Sequence, residues 1–216
     1  VDALALEVGY GLIPMISAGD SFLSRVREIR RQIAMNLGIV VPPIHVTDNL
    51  QLAPREYAIL LKGERIAHGE LYPDGYLAID PGAVREKIEG IETHDPTFGM
   101  PAVWIRRAAD RERAVAAGYT VVDPINVLIT HLGELLKQHG HELISREDLK
   151  TMLETVRQFA PTVVEEIRPE LIRMSVLHQV LVLLAAERVP LTELVLILES
   201  IANHATTQKG AEELAD

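Results

Sequence analysis

The chain has 216 residues and a formal net charge of -10, because 21 Lys and Arg residues stand against 31 Asp and Glu residues. Hydrophobic residues make up 48% and charged residues 24%, a composition that predicts folded domains and excludes a disordered chain. The acidic balance disfavours a nucleic-acid partner, and the absence of Cys excludes disulfides and thiolate chemistry.

No targeting or membrane segment is recognisable in the sequence. Residues 1–4 lack the basic start and apolar run of a secretion signal. No stretch approaches the roughly 18 uncharged apolar residues that cross a bilayer. We therefore expect a soluble chain, and the missing initiator Met suggests a piece of a longer protein.

The first periodic segment starts at Asp20 and Ser21 and predicts an amphipathic helix that ends before Gly38. Its apolar positions recur three or four residues apart, at Phe22, Leu23, Val26, Ile29, Ile33 and Leu37. Its other face carries charge at Arg25, Arg27, Glu28, Arg30 and Arg31. We interpret this charged face as solvated, with a basic stripe that binds a partner as the alternative.

The next part of the chain changes to short β-rich runs separated by turn residues. Strands are predicted at residues 39–41, 44–46, 57–61, 65–71 and 76–79. Gly63 and Gly75 lie in two hairpin signals, so a largely antiparallel sheet follows. Residues 90–101 form a polar stretch that is long for a plain connection, which makes it a candidate binding loop.

The remainder of the chain is mostly helical in pattern. A helix is predicted at residues 104–117, a strand at 119–122 and a helix at 124–139. The last of these helices has its inward positions at Val127, Leu128, Leu132, Leu135 and Leu136. Further helices are predicted from Ser145 to about residue 160, at 175–187 and at 191–205, followed by an acidic tail.

The sequence contains no pattern that predicts chemistry. Three His residues, His131, His139 and His141, invite a metal hypothesis, but a zinc site needs three or four ligands of defined geometry and no complete set is visible. Motifs for nucleophilic, phosphate or dinucleotide chemistry are absent, so we expect no enzyme, no cofactor and no metal. The helices at 175–187 and 191–205 could form a helix-turn-helix, but the second lacks Lys and Arg, which favours a packing motif.

Several motifs, in their order along the chain, resemble the cytoplasmic part of the FlhA family of flagellar and injectisome export gates. They are Gly9-Tyr10-Gly11-Leu12-Ile13-Pro14, Gly38-Ile39-Val40-Val41-Pro42-Pro43, Asp48-Asn49, Asp95-Pro96-Thr97-Phe98-Gly99-Met100-Pro101-Ala102-Val103-Trp104-Ile105, Gly118-Tyr119-Thr120-Val121-Val122-Asp123-Pro124 and Thr130-His131-Leu132. The pattern of Asp123-Pro124 and Thr130-His131-Leu132 resembles the flagellar members more than the injectisome members.

The resemblance implies an α+β fold of several subdomains. The first, a mixed α/β subdomain, would cover residues 1–72 and 122–142, and an inserted β-rich second subdomain residues 73–121. A helical third subdomain would cover 143–205, and 206–216 would be a linker or tail. The family's transmembrane region and fourth subdomain have no counterpart in this sequence.

The resemblance also implies a function and a site. The chain would be a docking platform at the cytoplasmic face of the inner membrane, within a homo-oligomeric ring, and any membrane contact would come through the N-terminal region that this sequence lacks. It would bind export chaperones carrying late substrates, and components of the export ATPase complex. Its chaperone cleft would match Asp95, Phe98, Val127 and Thr130. The alternatives are an injectisome homologue and a general interaction scaffold, with a hydrolase a distant third.

Within that cleft, Phe98 and Val127 are expected to form an apolar floor, and Asp95 and Thr130 to orient the partner by hydrogen bonds. From the loop position alone, Phe98 could instead fill the core. If the cleft assignment is right, truncation of Phe98 or Asp95 should weaken binding and leave thermal stability nearly intact.

Overall fold

The computed structural model describes residues 2–37 and 41–143, and Glu147, Lys150 and Glu154 individually. Within this described part the chain forms two four-stranded sheets and four α-helices, which confirms the predicted α+β class. None of the described helices is long and apolar enough to cross a bilayer. The predicted helices beyond residue 144 otherwise lie outside the described residues.

The first sheet consists of β1 (Leu4–Val8), β2 (Ile44–Asp48), β3 (Glu56–Leu61) and β4 (Glu64–Glu70), in the order β2-β1-β3-β4. β1 pairs in parallel with β2, and the connection between them carries the short helix α1 (Ile13–Ser17) and the long helix α2 (Ser21–Leu37). β3 and β4 form an antiparallel hairpin whose turn places Lys62 and Gly63 at positive φ. β1 was not predicted, although its apolar residues Leu4, Leu6 and Val8 alternate along the chain as in a half-buried strand.

The second sheet consists of β5 (Tyr76–Ile79), β6 (Ile91–His94), β7 (Pro101–Ile105) and β8 (Thr120–Val122), in the order β6-β7-β5-β8. All of its strand pairs are antiparallel. Helix α3 (Ala108–Ala117) packs on one face and ends at Gly118, which takes the left-handed conformation at φ 102°. The core between them contains Ala78, Ile88, Ile105, Ala114, Ala117 and Tyr119.

The predicted largely antiparallel pairing is confirmed, since β1 with β2 is the one parallel pair among the described strands. The β-rich runs form two sheets, however, where a single sheet was expected. Two further predictions differ from the structure. Val41 lies outside any strand, and residues 39 and 40 are outside the described part. The helix predicted at 104–117 starts only at Ala108, because Trp104 and Ile105 are buried strand residues of β7.

Helix α2 has the predicted bounds, and Phe22, Val26 and Ile33 on its apolar side are buried. Leu23 departs from this pattern because 49% of its surface is exposed. The charged face is also not wholly solvated. The half-buried Arg25 donates a 2.7 Å hydrogen bond to Asn126, and Arg30 donates one of 2.8 Å to the carbonyl of Val41.

Helix α4 (Pro124–His139) follows β8 directly and carries candidate site residues. Its five predicted inward positions, Val127, Leu128, Leu132, Leu135 and Leu136, are all buried, which confirms its predicted orientation. Asp123 accepts a 2.8 Å hydrogen bond from the Asn126 backbone N–H, an interaction that stabilises the first turn of the helix.

The chain divides into two compact units, and both sheets lie in the first. This unit comprises Val1–Glu28 and Pro42–Glu134. The second comprises Ile29–Val41 and the chain from Leu135 onward. Within this second unit the structure describes residues 29–37, residue 41 and residues 135–143, together with the three individual residues named above. The predicted subdivision at 1–72 with 122–142, 73–121, 143–205 and 206–216 stays a prediction.

Candidate docking site

The loop between β6 and β7 is organised around the side chain of Asp95. Its carboxylate accepts backbone N–H groups from Thr97 at 3.0 Å, Phe98 at 3.1 Å and Met100 at 3.2 Å. The backbone closes the same loop, since Asp95 N–H donates to the Met100 carbonyl at 2.8 Å. Gly99 takes a positive φ of 72°, which favours glycine there. One side chain therefore fixes the conformation of residues 95–100.

This arrangement changes the role of Asp95. The residue is only 5% exposed, and its carboxylate oxygens already have backbone partners. Loss of the carboxylate would leave three loop N–H groups without their acceptor, which costs stability. We therefore expect Asp95→Ala to lose stability, contrary to the nearly unchanged stability expected from the sequence, because the Asp95 carboxylate holds the loop together from inside.

Phe98 lies at the tip of this loop with 64% of its surface exposed, so it does not fill the core. Met100, two residues further on, is 37% exposed. A rigid loop that holds an aromatic ring in water can bury that ring only against another molecule or by rearranging. The exposed tip therefore favours contact with a partner over a core role for Phe98.

Helix α4 contributes the other two predicted site residues from consecutive turns. Thr130 is exposed, whereas Val127 is only 3% exposed. A buried Val127 cannot contact a partner directly in this conformation, so the expected apolar floor would consist of Phe98 alone among the predicted residues. Val127 can act only by packing beneath the surface.

A buried polar pair lies beside these elements. The Tyr57 hydroxyl on β3 and Nδ1 of His131 on α4 are 2.6 Å apart, and their rings meet edge to face with centroids separated by 5.8 Å. Tyr57 is wholly buried, and His131 is 6% exposed. The ring of Tyr57 lies over Gly69 of β4, where a methyl group would collide with it. The pair therefore joins the first sheet to α4.

Electrostatics connects this pair to the Asp95 loop. Burial, reinforced by the negative charge of Asp95, raises the pKa of the Tyr57 hydroxyl far above its usual range. Burial lowers the pKa of His131, while Asp95 opposes that change and His68 adds to it. At neutral pH His131 is accordingly uncharged, and its Nδ1 shares a hydrogen bond with the protonated Tyr57 hydroxyl, with the donor set by the His131 tautomer. Asp95 lies close enough to both rings to influence their charge.

The His residues of the described ranges do not converge on a metal site. His131 is bonded to Tyr57, and the Nδ1 atom of His139 lies 2.6 Å from a Glu142 carboxylate oxygen. No three potential ligands cluster within the described ranges 2–37 and 41–143. The expectation of a metal-independent chain stays a prediction.

The sequence analysis missed Tyr57 and Met100. Tyr57 and His131 are 74 positions apart, and no local pattern signals a contact at that separation.

The sequence is similar to that of a known protein family. The FHIPEP family matches residues 1–216, and the chain belongs to this family. The chain is 41% identical to the flagellar biosynthesis protein FlhA of Bacillus subtilis, over 100% of its own length and 32% of the relative's. It is 40% identical to FlhA of Escherichia coli, over 99% of its length and 31% of that protein. The chain thus spans about a third of the length of these curated relatives.

Solved structures show the same fold. The Chlamydia pneumoniae CdsV protein matches with a TM-score of 0.78 and 25% identity, over 95% of this chain and 60% of that one. The nonameric EPEC SctV-C matches with a TM-score of 0.67 and 19% identity, over 95% of this chain and 60% of that one. A further structure contains CdsV together with the CdsO protein.

Proposed function

We propose that the chain is a docking platform of the flagellar type III export gate and binds export chaperones that carry late substrates. Membership of the FHIPEP family and about 40% identity to flagellar FlhA proteins support the flagellar assignment over an injectisome one. The observation that carries the docking role is the fixed loop of residues 95–100, which holds Phe98 in solvent at 64% exposure.

The chemistry of the loop defines the contact. Phe98 and Met100 offer apolar surface, and Thr130 on α4 offers a hydroxyl that can donate or accept a hydrogen bond. The Asp95 carboxylate is already bonded to the loop backbone, so recognition depends on apolar burial more than on a free acid. A partner with an exposed apolar stripe fits this surface, which is the pattern of an amphipathic helix.

The test measures affinity for a purified chaperone loaded with its late substrate. Phe98→Ala should weaken binding about tenfold or more, because an aromatic anchor is typically worth about 2 kcal/mol or more at a protein interface. The matched control is Leu50→Ala, since Leu50 is also on a loop and is 81% exposed. Equal affinity of the Phe98→Ala variant and the unmodified chain would show that the loop is not the docking site.

We further propose that copies of the chain contribute to a ring, because SctV-C and the EscV cytosolic domain, which share this fold, are nonameric. A ring uses two different faces of each copy, and each contact can be weak because several contacts together close the ring. The isolated chain should therefore be mostly monomeric at micromolar concentration. A tight two-fold dimer in sedimentation would contradict this arrangement.

The wider setting follows from the same proposal. The chain would face the cytoplasm beside the inner membrane, act without enzymatic turnover or a cofactor, and also contact components of the export ATPase complex. The existence of a complex between CdsV and CdsO is consistent with protein partners for this fold. A general scaffold is the alternative, and it would bind unloaded and unrelated proteins as well as the loaded chaperone.

A further inference from the structure

Strand β6 forms an open edge of the second sheet. Among the described strands it pairs only with β7. Ile91, Glu92 and His94 are exposed, and Thr93 is half-buried. An exposed edge presents backbone N–H and C=O groups that another extended chain can pair with.

The hydrogen bonds of the hairpin identify the outward groups. Asp95 uses both backbone groups inside the hairpin, since its N–H donates to Met100 and its carbonyl accepts from Gly99 at 2.9 Å. Direction alternates along an antiparallel strand, so His94 and Glu92 turn their backbone groups away from β7. The His94 carbonyl receives only a 3.5 Å contact from the Thr93 hydroxyl.

The opposite strand supports this reading. Pro101 faces His94 in the register, and its carbonyl accepts the Asp80 N–H at 2.8 Å on the side of β5. His94 and Pro101 therefore form a pair without mutual backbone hydrogen bonds, and the backbone groups of His94 face away from β7. No strand of the described ranges 2–37 and 41–143 pairs with the outward N–H groups of Glu92 and His94, so these two groups can pair with an added strand.

Clefts follow this edge along its length. One of about 650 Å³ is lined by residues 90–92 of the edge together with Ile88, Trp104 and Arg106. A second of about 500 Å³ is lined by residues 92–94 together with Pro101 and Tyr119. Side chains of an added strand would find room in these clefts while its backbone pairs with β6.

We propose that the β6 edge binds an extended segment of the export substrate as an added β-strand, next to the chaperone held at Phe98. The proposal rests on the proposed docking function, because β6 runs directly into the loop of residues 95–100. The backbone groups of an extended substrate segment lack partners, and a chaperone docked at Phe98 would hold that segment beside the open groups of β6. Pairing through the main chain accepts many sequences, which suits a gate that takes several substrates.

The test uses proline to remove single outward N–H groups. Glu92→Pro and His94→Pro should each weaken binding of the substrate-loaded chaperone about threefold to tenfold, because each removes one backbone donor. Proline is tolerated at edge strands when the lost N–H points to solvent, so the folded sheet should remain. The matched controls Glu92→Ala and His94→Ala keep the donor and should bind within about twofold of the unmodified chain.

Further arms separate the possible outcomes. The chaperone without its substrate should bind the proline and alanine variants equally, because the added strand comes from the substrate. Equal losses for loaded and empty chaperone, or no loss with proline, would overturn the proposal. A normal proline effect with an unchanged Phe98→Ala affinity would overturn the docking function instead.

If the proline substitutions disturb the sheet, amide hydrogen exchange of the unmodified chain can test strand addition instead. The Glu92 and His94 N–H groups should exchange more slowly when the loaded chaperone is bound, while the empty chaperone leaves them unchanged. Unchanged exchange at both positions in the loaded complex would exclude strand addition.

Discussion

Replacement of Asp95 by Ala should destabilise the second sheet strongly, although the residue lies in a loop. Its carboxylate accepts three backbone N–H groups, from Thr97, Phe98 and Met100. Hydrogen bonds to charged groups contribute about 1.5–3 kcal/mol each, but these donors lie near the surface and water can replace part of the loss. At about 1 kcal/mol for each donor, the free energy of unfolding should fall by about 3 kcal/mol.

The second sheet offers a matched control. Asp80 also accepts a backbone N–H two residues ahead, from Gly82 at 2.7 Å, but this is a single exposed bond. Asp80→Ala should therefore cost only about 0.5–1 kcal/mol. Asp95→Asn keeps one acceptor oxygen and should fall between the two Ala variants.

Urea unfolding followed by Trp fluorescence is the appropriate assay. Trp104 is the only Trp of the chain and lies in β7, so its signal reports the sheet that contains the loop. The midpoint should shift without a change in the urea dependence. A loss below about 1 kcal/mol for Asp95→Ala, or one equal to that of Asp80→Ala, would refute the role assigned to the Asp95 carboxylate.

The other predictions concern the buried pair and metals. Tyr57→Phe removes the hydroxyl that is hydrogen-bonded to Nδ1 of His131 and should lower the free energy of unfolding by about 1 kcal/mol. Gly69→Ala should cost about 1–3 kcal/mol, because the added methyl group collides with the Tyr57 ring. Equal stability of either variant and the unmodified chain in urea would contradict the corresponding contact. Because the pKa of His131 is lowered by folding, the unfolded chain binds a proton more readily, so stability should decrease as the pH falls below about 6.5. His131→Gln should reduce this decrease in pH-dependent thermal melting, and an unchanged slope would assign it to other groups. EDTA should leave the melting temperature unchanged, and a drop of several degrees that zinc restores would reveal a metal site.

The sequence predicted the helices of this fold better than its strands. α2 and α4 were found with their bounds because their apolar residues recur at helical spacing between clear start and stop signals. β6 has only four residues, three of them polar, so its pattern is that of a loop. At Trp104 two buried strand residues run into Arg106 and a helix-forming segment, which hid the boundary between β7 and α3.

The candidate site shows the same division. Phe98 was identified because an aromatic residue in a polar loop stands out in the sequence, and Thr130 because of the family resemblance. The role of Asp95 was not predictable, since its partners are backbone N–H groups that converge only when the loop has folded. Val127 has the spacing of a core residue on α4, and the structure places it in the core.

Site-specific photo-crosslinking from position 98 would test the docking role most directly. A benzoylphenylalanine in place of Phe98 keeps an aromatic ring at the exposed tip of the loop. The same group in place of Leu50, which is also exposed, is the control. With a chaperone that carries its late substrate, position 98 should crosslink to the chaperone and position 50 should not. Crosslinks from position 50 with none from position 98 would contradict docking at this loop.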